Sequence, residues 1–259
     1  MKRLAAIRYV SPLREGGSLP AIVEANDNRL YVMKFRGAGQ GRKALIAELI
    51  AGEIARALDL RVPEIVLMDL DAALGQAEPD PEISDLLEFS VGLNLAMAYL
   101  PSALMFELPA ASPPDPRLAS SIVWFDAFVT NVDRTARNSN ILVWNRQFWL
   151  IDHGASLYFH HAWENNRARS RQPFPHIKDH ILLRFASELR AVDETLSARL
   201  SAEKLLAFVS AIPDDWLTNE PGFETAAQVR AAYLTWLQER LAAPRVFVEE
   251  ALNARAARV

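Results

Sequence analysis

The chain contains no cysteine. Disulfide bridges, zinc–thiolate sites and thiol nucleophiles are therefore excluded. No apolar run approaches the roughly 20 residues that a membrane-spanning helix needs. The N-terminus, MKRLAAIRYVSPLREGG, starts basic but carries neither a long apolar stretch nor a small-residue cleavage site. It does not read as a targeting segment, and a cytoplasmic location without membrane contact is expected. Basic residues are not in excess, with 28 Lys and Arg against 32 Asp and Glu and a formal net charge of −4, which argues against nucleic acid as the main partner. There is no internal repeat. The remaining composition is that of an ordinary globular protein: 259 residues, 51% hydrophobic, are enough for a sizeable core and for two lobes.

The informative residues are concentrated in 131–154, NVDRTARNSNILVWNRQFWLIDHG. Asp133 is followed five residues later by Asn138. Two strand-like runs, 141–144 and 148–151, join at Asn145-Arg146, and the second leads directly into Asp152-His153-Gly154. A carboxylate, an amide five residues on and a second carboxylate past a hairpin suit metal-assisted phosphoryl transfer. One Asp orients the attacking group, while an Asn and another Asp hold Mg²⁺ against phosphates. Kinase signatures have this order, with D-x-x-x-x-N before D-F-G. Asp and Asn are also common in plain turns. The hairpin and the Asp-x-Gly behind it set this stretch apart from one.

Upstream, residues 7–10, 21–24 and 30–35 read as strands, with Asn26-Asp27-Asn28 as the turn of a hairpin between the last two. Gly16, Gly17 and Ser18 lie between strands, where backbone N–H groups could approach a phosphate; a plain flexible turn is the simpler reading. Lys34, late in an apolar strand between Met33 and Phe35, needs an anion or an acidic partner unless it faces water at a sheet edge. Leu45, Ile46, Leu49, Ile50, Ile54 and Leu58 recur at helical spacing, which predicts a helix over 42–58. Glu48 lies beside its apolar stripe and Glu53 within it, so either could pair with Lys34.

A strand is expected at 65–69, an acidic proline-bearing loop at 75–85 and a strand at 93–100 ending at Pro101. A strongly apolar helix over 117–130 delivers Asp133 from a rigid scaffold. Residues 155–175 are aromatic and basic at once and suit a substrate-binding or activation segment. His160, His161, His176 and His180 show no firm ligand spacing and read as solvated or capping histidines rather than a metal site. From about residue 179 the chain is helical, and Trp216 and Trp236 read as core.

Together NVDRTARNSNILV, LIDHGA, YVMKF and the helix ending LDLRVPE resemble the HipA-like kinase family, in its short form without the extra N-terminal subdomain. The resemblance implies an α+β, protein-kinase-like bilobal fold. Its N-lobe, residues 1–101, would be a small antiparallel sheet with one helix; its C-lobe, 102–259, would be mainly helical. It implies an ATP- and Mg²⁺-dependent phosphotransferase acting on Ser or Thr of an unknown acceptor. Lys34 matches the family's ATP-phosphate lysine, Asp133 the catalytic Asp, and Asn138 and Asp152 the metal ligands. Asn140 is a second candidate ligand, because it precedes Ile-Leu. Glu48 matches the family's helix glutamate better than Glu53, although the helical wheel favours Glu53. Ala98, Tyr99 and Leu100 match the hinge that meets adenine. Gly16, Gly17 and Ser18 match the phosphate-covering loop, and Ser18 is a candidate autophosphorylation site. The usual His-Arg-Asp is Asn131-Val132-Asp133 here and Asp-Phe-Gly is Asp-His-Gly; both occur in the wider HipA-like and lipid-kinase-like group. Two rivals stand beside this reading: a small-molecule kinase of the aminoglycoside or choline type, and a pseudokinase that binds nucleotide without turnover.

Overall fold

The computed structural model describes residues 1–13, 19–75, 79–108, 114–164 and 166–258. The N-terminal part is a five-stranded closed barrel built from β1 (Arg3–Pro12), β2 (Ala21–Ala25), β3 (Leu30–Lys34), β4 (Ile65–Leu70) and β5 (Gly92–Ala98). Its order is β1-β2-β3-β5-β4. Neighbours pair antiparallel except where β4 returns to β1, with Arg3 opposite Leu67 in a parallel register. The small antiparallel sheet expected from the sequence is therefore corrected to a barrel with one parallel seam. Register shifts between Ala6 and Arg8 and between Tyr9 and Ser11 bend β1, and added local twist lets one strand serve two neighbours.

Side chains alternate across a strand. On β3 this turns Tyr31 and Met33 into the barrel, with Phe35 just beyond, and leaves Lys34 on the outer face. On β5, Ala96 lines the barrel while Leu93, Leu95 and Met97 pack outward. The outward surface is covered by α1 (Arg42–Ala57), whose Leu45, Leu49 and Ile50 are buried. Gly52 allows this close packing, because a Cβ there would lie 2.3 Å from Ile65 Cδ1.

A second helix, α2 (Pro81–Phe89), lies in the region expected to be a loop with only one helix nearby. Asp80 caps it by accepting from the Glu82 N–H, and Pro81 occupies the first turn. Ile83 and Leu87, one turn apart, bury against the barrel. The Asp-Pro that reads as a loop is a helix start.

The rest is mainly helical. A short strand, β6 (Leu104–Met105), precedes α3 (Pro116–Phe128), which Asp115 caps through the Arg117 and Leu118 amides. Residues Ile122 to Phe128 of α3 are all buried. β7 (Ile141–Trp144) and β8 (Gln147–Leu150) form a hairpin whose two turn residues, Asn145 and Arg146, both have positive φ, 50° and 60°. That backbone matches the twist of the flanking strands. Beyond it come α4 (Asn166–Ser170), α5 (Leu189–Arg199), α6 (Ala202–Ser210), α7 (Ala226–Leu241) and α8 (Val246–Ala256). Two apolar clusters result: the barrel interior, and a larger one running from α1 through α3 to α8. Among the described residues, no helix is long and apolar enough to cross a membrane.

Candidate active site

Lys34 leaves the barrel's outer face and meets two carboxylates. Its Nζ donates to Glu48 Oε1 from α1 and to Asp152 Oδ1 past β8. The Glu48 side chain is wholly buried and that of Lys34 is 12% exposed, whereas Asp152 keeps 40% of its side chain open. Burial acts against the ammonium of Lys34, but the two carboxylates outweigh it and hold its pKa above the ordinary value. Asp152 also suffers from burial, yet the Lys34 charge and hydrogen bond bring its pKa below the usual carboxylate range. The Gly154 N–H donates to the same Glu48 oxygen at 2.9 Å. The structure thus pairs Lys34 with Glu48, while Glu53 pairs with Arg56 on its own helix at 3.6 Å.

Asp133 sits half-buried on the loop after α3. Its Oδ2 accepts from Asn138 Nδ2 at 2.8 Å and from Asn140 Nδ2 at 3.3 Å, and its N–H donates to Asn131 Oδ1. Burial raises the Asp133 pKa, the two asparagine amides oppose this, and the nearby Asp152 charge adds to it; the net direction is upward. The five-residue spacing is closed by a tight turn, with the Thr135 N–H donating to the Asn138 carbonyl at 2.9 Å. Asn140 is buried at φ 50°, and its carbonyl accepts from Arg134 and from the Ile151 N–H.

Beneath the loop lies a buried polar cluster that the sequence reading did not single out. Asp126 of α3 accepts from Arg134 Nε at 2.6 Å, from Asn131 Nδ2 at 2.8 Å and from His180 Nε2 at 2.9 Å. His180 Nδ1 accepts from the Leu182 N–H, so Nε2 carries the proton and the ring is neutral. Burial lowers the His180 pKa despite the carboxylate, and burial with the Arg134 charge brings that of His153 down to about 3. Arg134 NH2 meets His153 Nδ1 at 3.2 Å. One guanidinium therefore joins α3, the Asp133 loop and the Asp152 turn. The available signal was a lone acid in the apolar run of α3 with an arginine eight residues later.

Other expected residues fall differently. Gly16, Gly17 and Ser18 lie outside the described residues. Ala98, Tyr99 and Leu100 follow one another at the end of β5; the Ala98 N–H is used by the Glu64 carbonyl and the Tyr99 N–H by that of Leu30. Among the described residues the Leu100 N–H has no protein acceptor. His160 and His180 are buried, not solvated: His160 Nδ1 contacts Tyr233 Oη at 2.9 Å. Both rings are fixed by partners from distant sequence, which spacing cannot reveal.

The oxygen donors suit a hard divalent cation. Asn138 gives its Nδ2 to Asp133, which leaves Oδ1 for another partner, and Asp152 has a second carboxylate oxygen beyond the one on Lys34. Among the described residues no three His, Cys, Asp or Glu converge as a metal site. Mg²⁺ keeps several waters and takes one or two protein ligands plus substrate phosphates, so two such oxygens fit it.

Solved structures that share this fold include kinases. The chain superposes with TM-score 0.57 on the Helicobacter pylori proinflammatory kinase CtkA, at 14% identity over 100% of this chain and 99% of that one. The Golgi casein kinase with Mn and ADP bound gives TM-score 0.54, at 12% identity over 100% of this chain and 74% of that one. The fold is that of kinases, and the family match makes the chain a kinase-type phosphotransferase. Residues 7–245 match the family described as HipA-like kinase, and the chain belongs to that family. Curated proteins yield no match.

Proposed function

We propose that this protein transfers the γ-phosphoryl group of ATP, with Mg²⁺, to a Ser or Thr hydroxyl of a protein acceptor. The observation that carries the reading is the Lys34–Glu48–Asp152 arrangement. Kinase catalysis needs the strand lysine paired with the helix glutamate and the metal-binding Asp in place together. Lys34 presents its charge to the phosphates, and Glu48 fixes its direction. Asn138 and Asp152 would hold the metal, whose charge would offset that of the phosphates. Asn138 is preferred to Asn140, whose backbone is pinned beneath the loop and whose side chain is buried. Asp133 accepts the proton of the acceptor hydroxyl as its oxygen bonds to the γ-phosphorus and the bond to ADP breaks. The Leu100 N–H and the neighbouring carbonyls of 98–100 face the adenine, and the lobes divide near residue 101. The Mn- and ADP-bound state of the structurally similar Golgi casein kinase supports nucleotide and divalent metal as the cofactor pair.

The test is incubation with γ-labelled ATP and Mg²⁺, with mass spectrometry of protein and small-molecule fractions of a lysate. Label on Ser or Thr of proteins is expected. Lys34→Ala should remain folded and lose most ATP affinity, because the lysine is the point charge for phosphate. Label on small alcohols alone would favour the small-molecule kinase. A folded Lys34→Ala with unchanged ATP affinity would remove the site.

A further inference from the structure

The chain as a whole is acidic, with a formal charge of −4. Residues 166–184 run the other way, with Arg167, Arg169, Arg171, Lys178 and Arg184 against the single acid Asp179. That acid is already engaged by Arg258 of the C-terminal helix region at 3.3 Å. Arg171, Lys178 and Arg184 are exposed. Among the described residues, none of the three has a carboxylate partner; Arg184 instead stacks on the Phe185 ring, 4.5 Å from its centroid.

This basic strip is attached to the catalytic loop. Thr135 and His180 form an antiparallel bridge, and the Ile181 N–H donates to the Arg134 carbonyl at 3.1 Å. These contacts fall one and two residues after Asp133. Lys178 is two residues from the bridge on one side. Arg137, exposed and also without a carboxylate partner among the described residues, is two residues from it on the other. Lys178 and Arg137 thus flank the place where an acceptor hydroxyl would meet Asp133, and among the described residues no carboxylate takes up their charge. Unpaired like charges on one face repel one another, and that repulsion is relieved when an anion docks.

We infer that this face binds the acceptor, and that the acceptor is an acidic peptide segment, with Asp or Glu flanking the target hydroxyl. The inference rests on the phosphotransfer reading for its use, but not for its measurement. It also separates the rivals, since an aminoglycoside is a polycation and would be repelled here. A peptide is favoured over a compact anion because the cations are spread along the strip from Arg171 to Arg184, on both sides of the bridge.

The experiment is equilibrium binding of fluorescent Ser-containing peptides to the full chain, with Asp/Glu, neutral or Lys flanks. The acidic peptide should bind on the order of tenfold more tightly than the Lys-flanked one, and the advantage should shrink with added salt. The double variant Arg171→Glu, Lys178→Glu should reverse the order while MgATP affinity is retained. Equal binding of all peptides, or an unchanged order in the variant, would overturn the inference. So would displacement of the acidic peptide by single-stranded RNA or a phosphorylated sugar at lower concentration than unlabelled peptide. Binding is read without turnover. A wild-type protein that binds acidic peptide but transfers no label from ATP would therefore refute the phosphotransfer reading and leave the surface standing.

Discussion

Asp133 and Asp152 stand close enough to feel each other's charge, yet their surroundings push them in opposite directions. Burial and the Asp152 charge raise Asp133, whereas Lys34 outweighs burial and lowers Asp152. A raised carboxylate is the better proton acceptor, and a lowered one remains an anion for a metal. The two should therefore fail differently. Asp133→Asn is expected to keep MgATP affinity near wild type and to slow transfer by roughly 10²–10⁴-fold. Asp152→Asn is expected to weaken metal-dependent nucleotide binding and raise the Mg²⁺ requirement. MgATP affinity and transfer rate of both folded variants decide this; if Asp133→Asn alone loses nucleotide, the roles are reversed. These residues were legible because their chemistry lies in one contiguous stretch with fixed spacing. The choice between Glu48 and Glu53 was not, because it depends on how α1 is rotated against β3, and a helical wheel has no knowledge of the lysine opposite. Asp126, Arg134 and His180 were missed for the same reason: their partners come from three separate elements.

Among the elements, α7 holds more of the site than its distance in sequence suggests. Its Trp236 stacks on Phe159 at 4.0 Å, and its Tyr233 meets His160, near the start of the segment after Gly154. Arg240, one turn further, donates to the Ser170 and Gln172 carbonyls at that segment's far end. The same guanidinium donates at 2.7 Å to the Ala127 and Phe128 carbonyls, where α3 runs into the Asp133 loop. Burial without a carboxylate brings its pKa down to about 9, and the charge is held by carbonyl dipoles and by the faces of the Trp236 and Phe247 rings. Arg240 thus acts as a positioning residue. Arg240→Met should cost about 2–4 kcal/mol, since several buried carbonyls lose their donors. It should also speed amide exchange around 168–174 and 128–133 and lower the transfer rate, with MgATP affinity unchanged. Arg240→Lys, which keeps the charge and loses the fork, should fall between. Exchange unchanged in both segments would show that α7 does not set their geometry. From the sequence α7 reads only as core, because donors to backbone carbonyls leave no pattern. The barrel's closure was hidden similarly: β1 pairs with β4 across more than fifty residues, and only its bulges show how it reaches both neighbours. Helix α2 was misread on the strength of Pro81, which starts helices as readily as it ends them.

At the scale of the whole molecule, the fold buries three histidine rings that stay neutral in mild acid only while it is folded. His153, His160 and His180 are all buried with pKa values pushed down, first by burial; for His153 and His180 the Arg134 charge adds to this, for His160 the neighbouring His161 and Lys43. In the unfolded chain each returns to an ordinary value near 6.5. Below that pH the unfolded state binds protons that the native state refuses, so unfolding is favoured. The contribution of each ring is fully present above about pH 6.5 and is lost as pH falls toward its folded value, which for His153 is about 3. The slope is roughly 1.4 kcal/mol per pH unit for each histidine that stays neutral in the fold. Asp126 has the usual sign for a carboxylate: its lowered pKa, with the Arg134 and His180 contacts overcoming burial, adds stability that disappears only in stronger acid. Acid sensitivity should therefore begin well above the carboxylate range. Denaturant unfolding between pH 7 and pH 5 tests this, with His160→Phe as the comparison. His160 lies outside the proposed catalytic groups, among Phe159 and Tyr233, so a phenyl ring suits its surroundings. The variant loses the contact with Tyr233 Oη, an offset of about 1–3 kcal/mol that is the same at every pH in this range. What should change is the slope, shallower than wild type by up to roughly 1.4 kcal/mol per unit below pH 6.5. Identical slopes would mean that His160 accepts its proton inside the fold, and that burial does not keep it neutral.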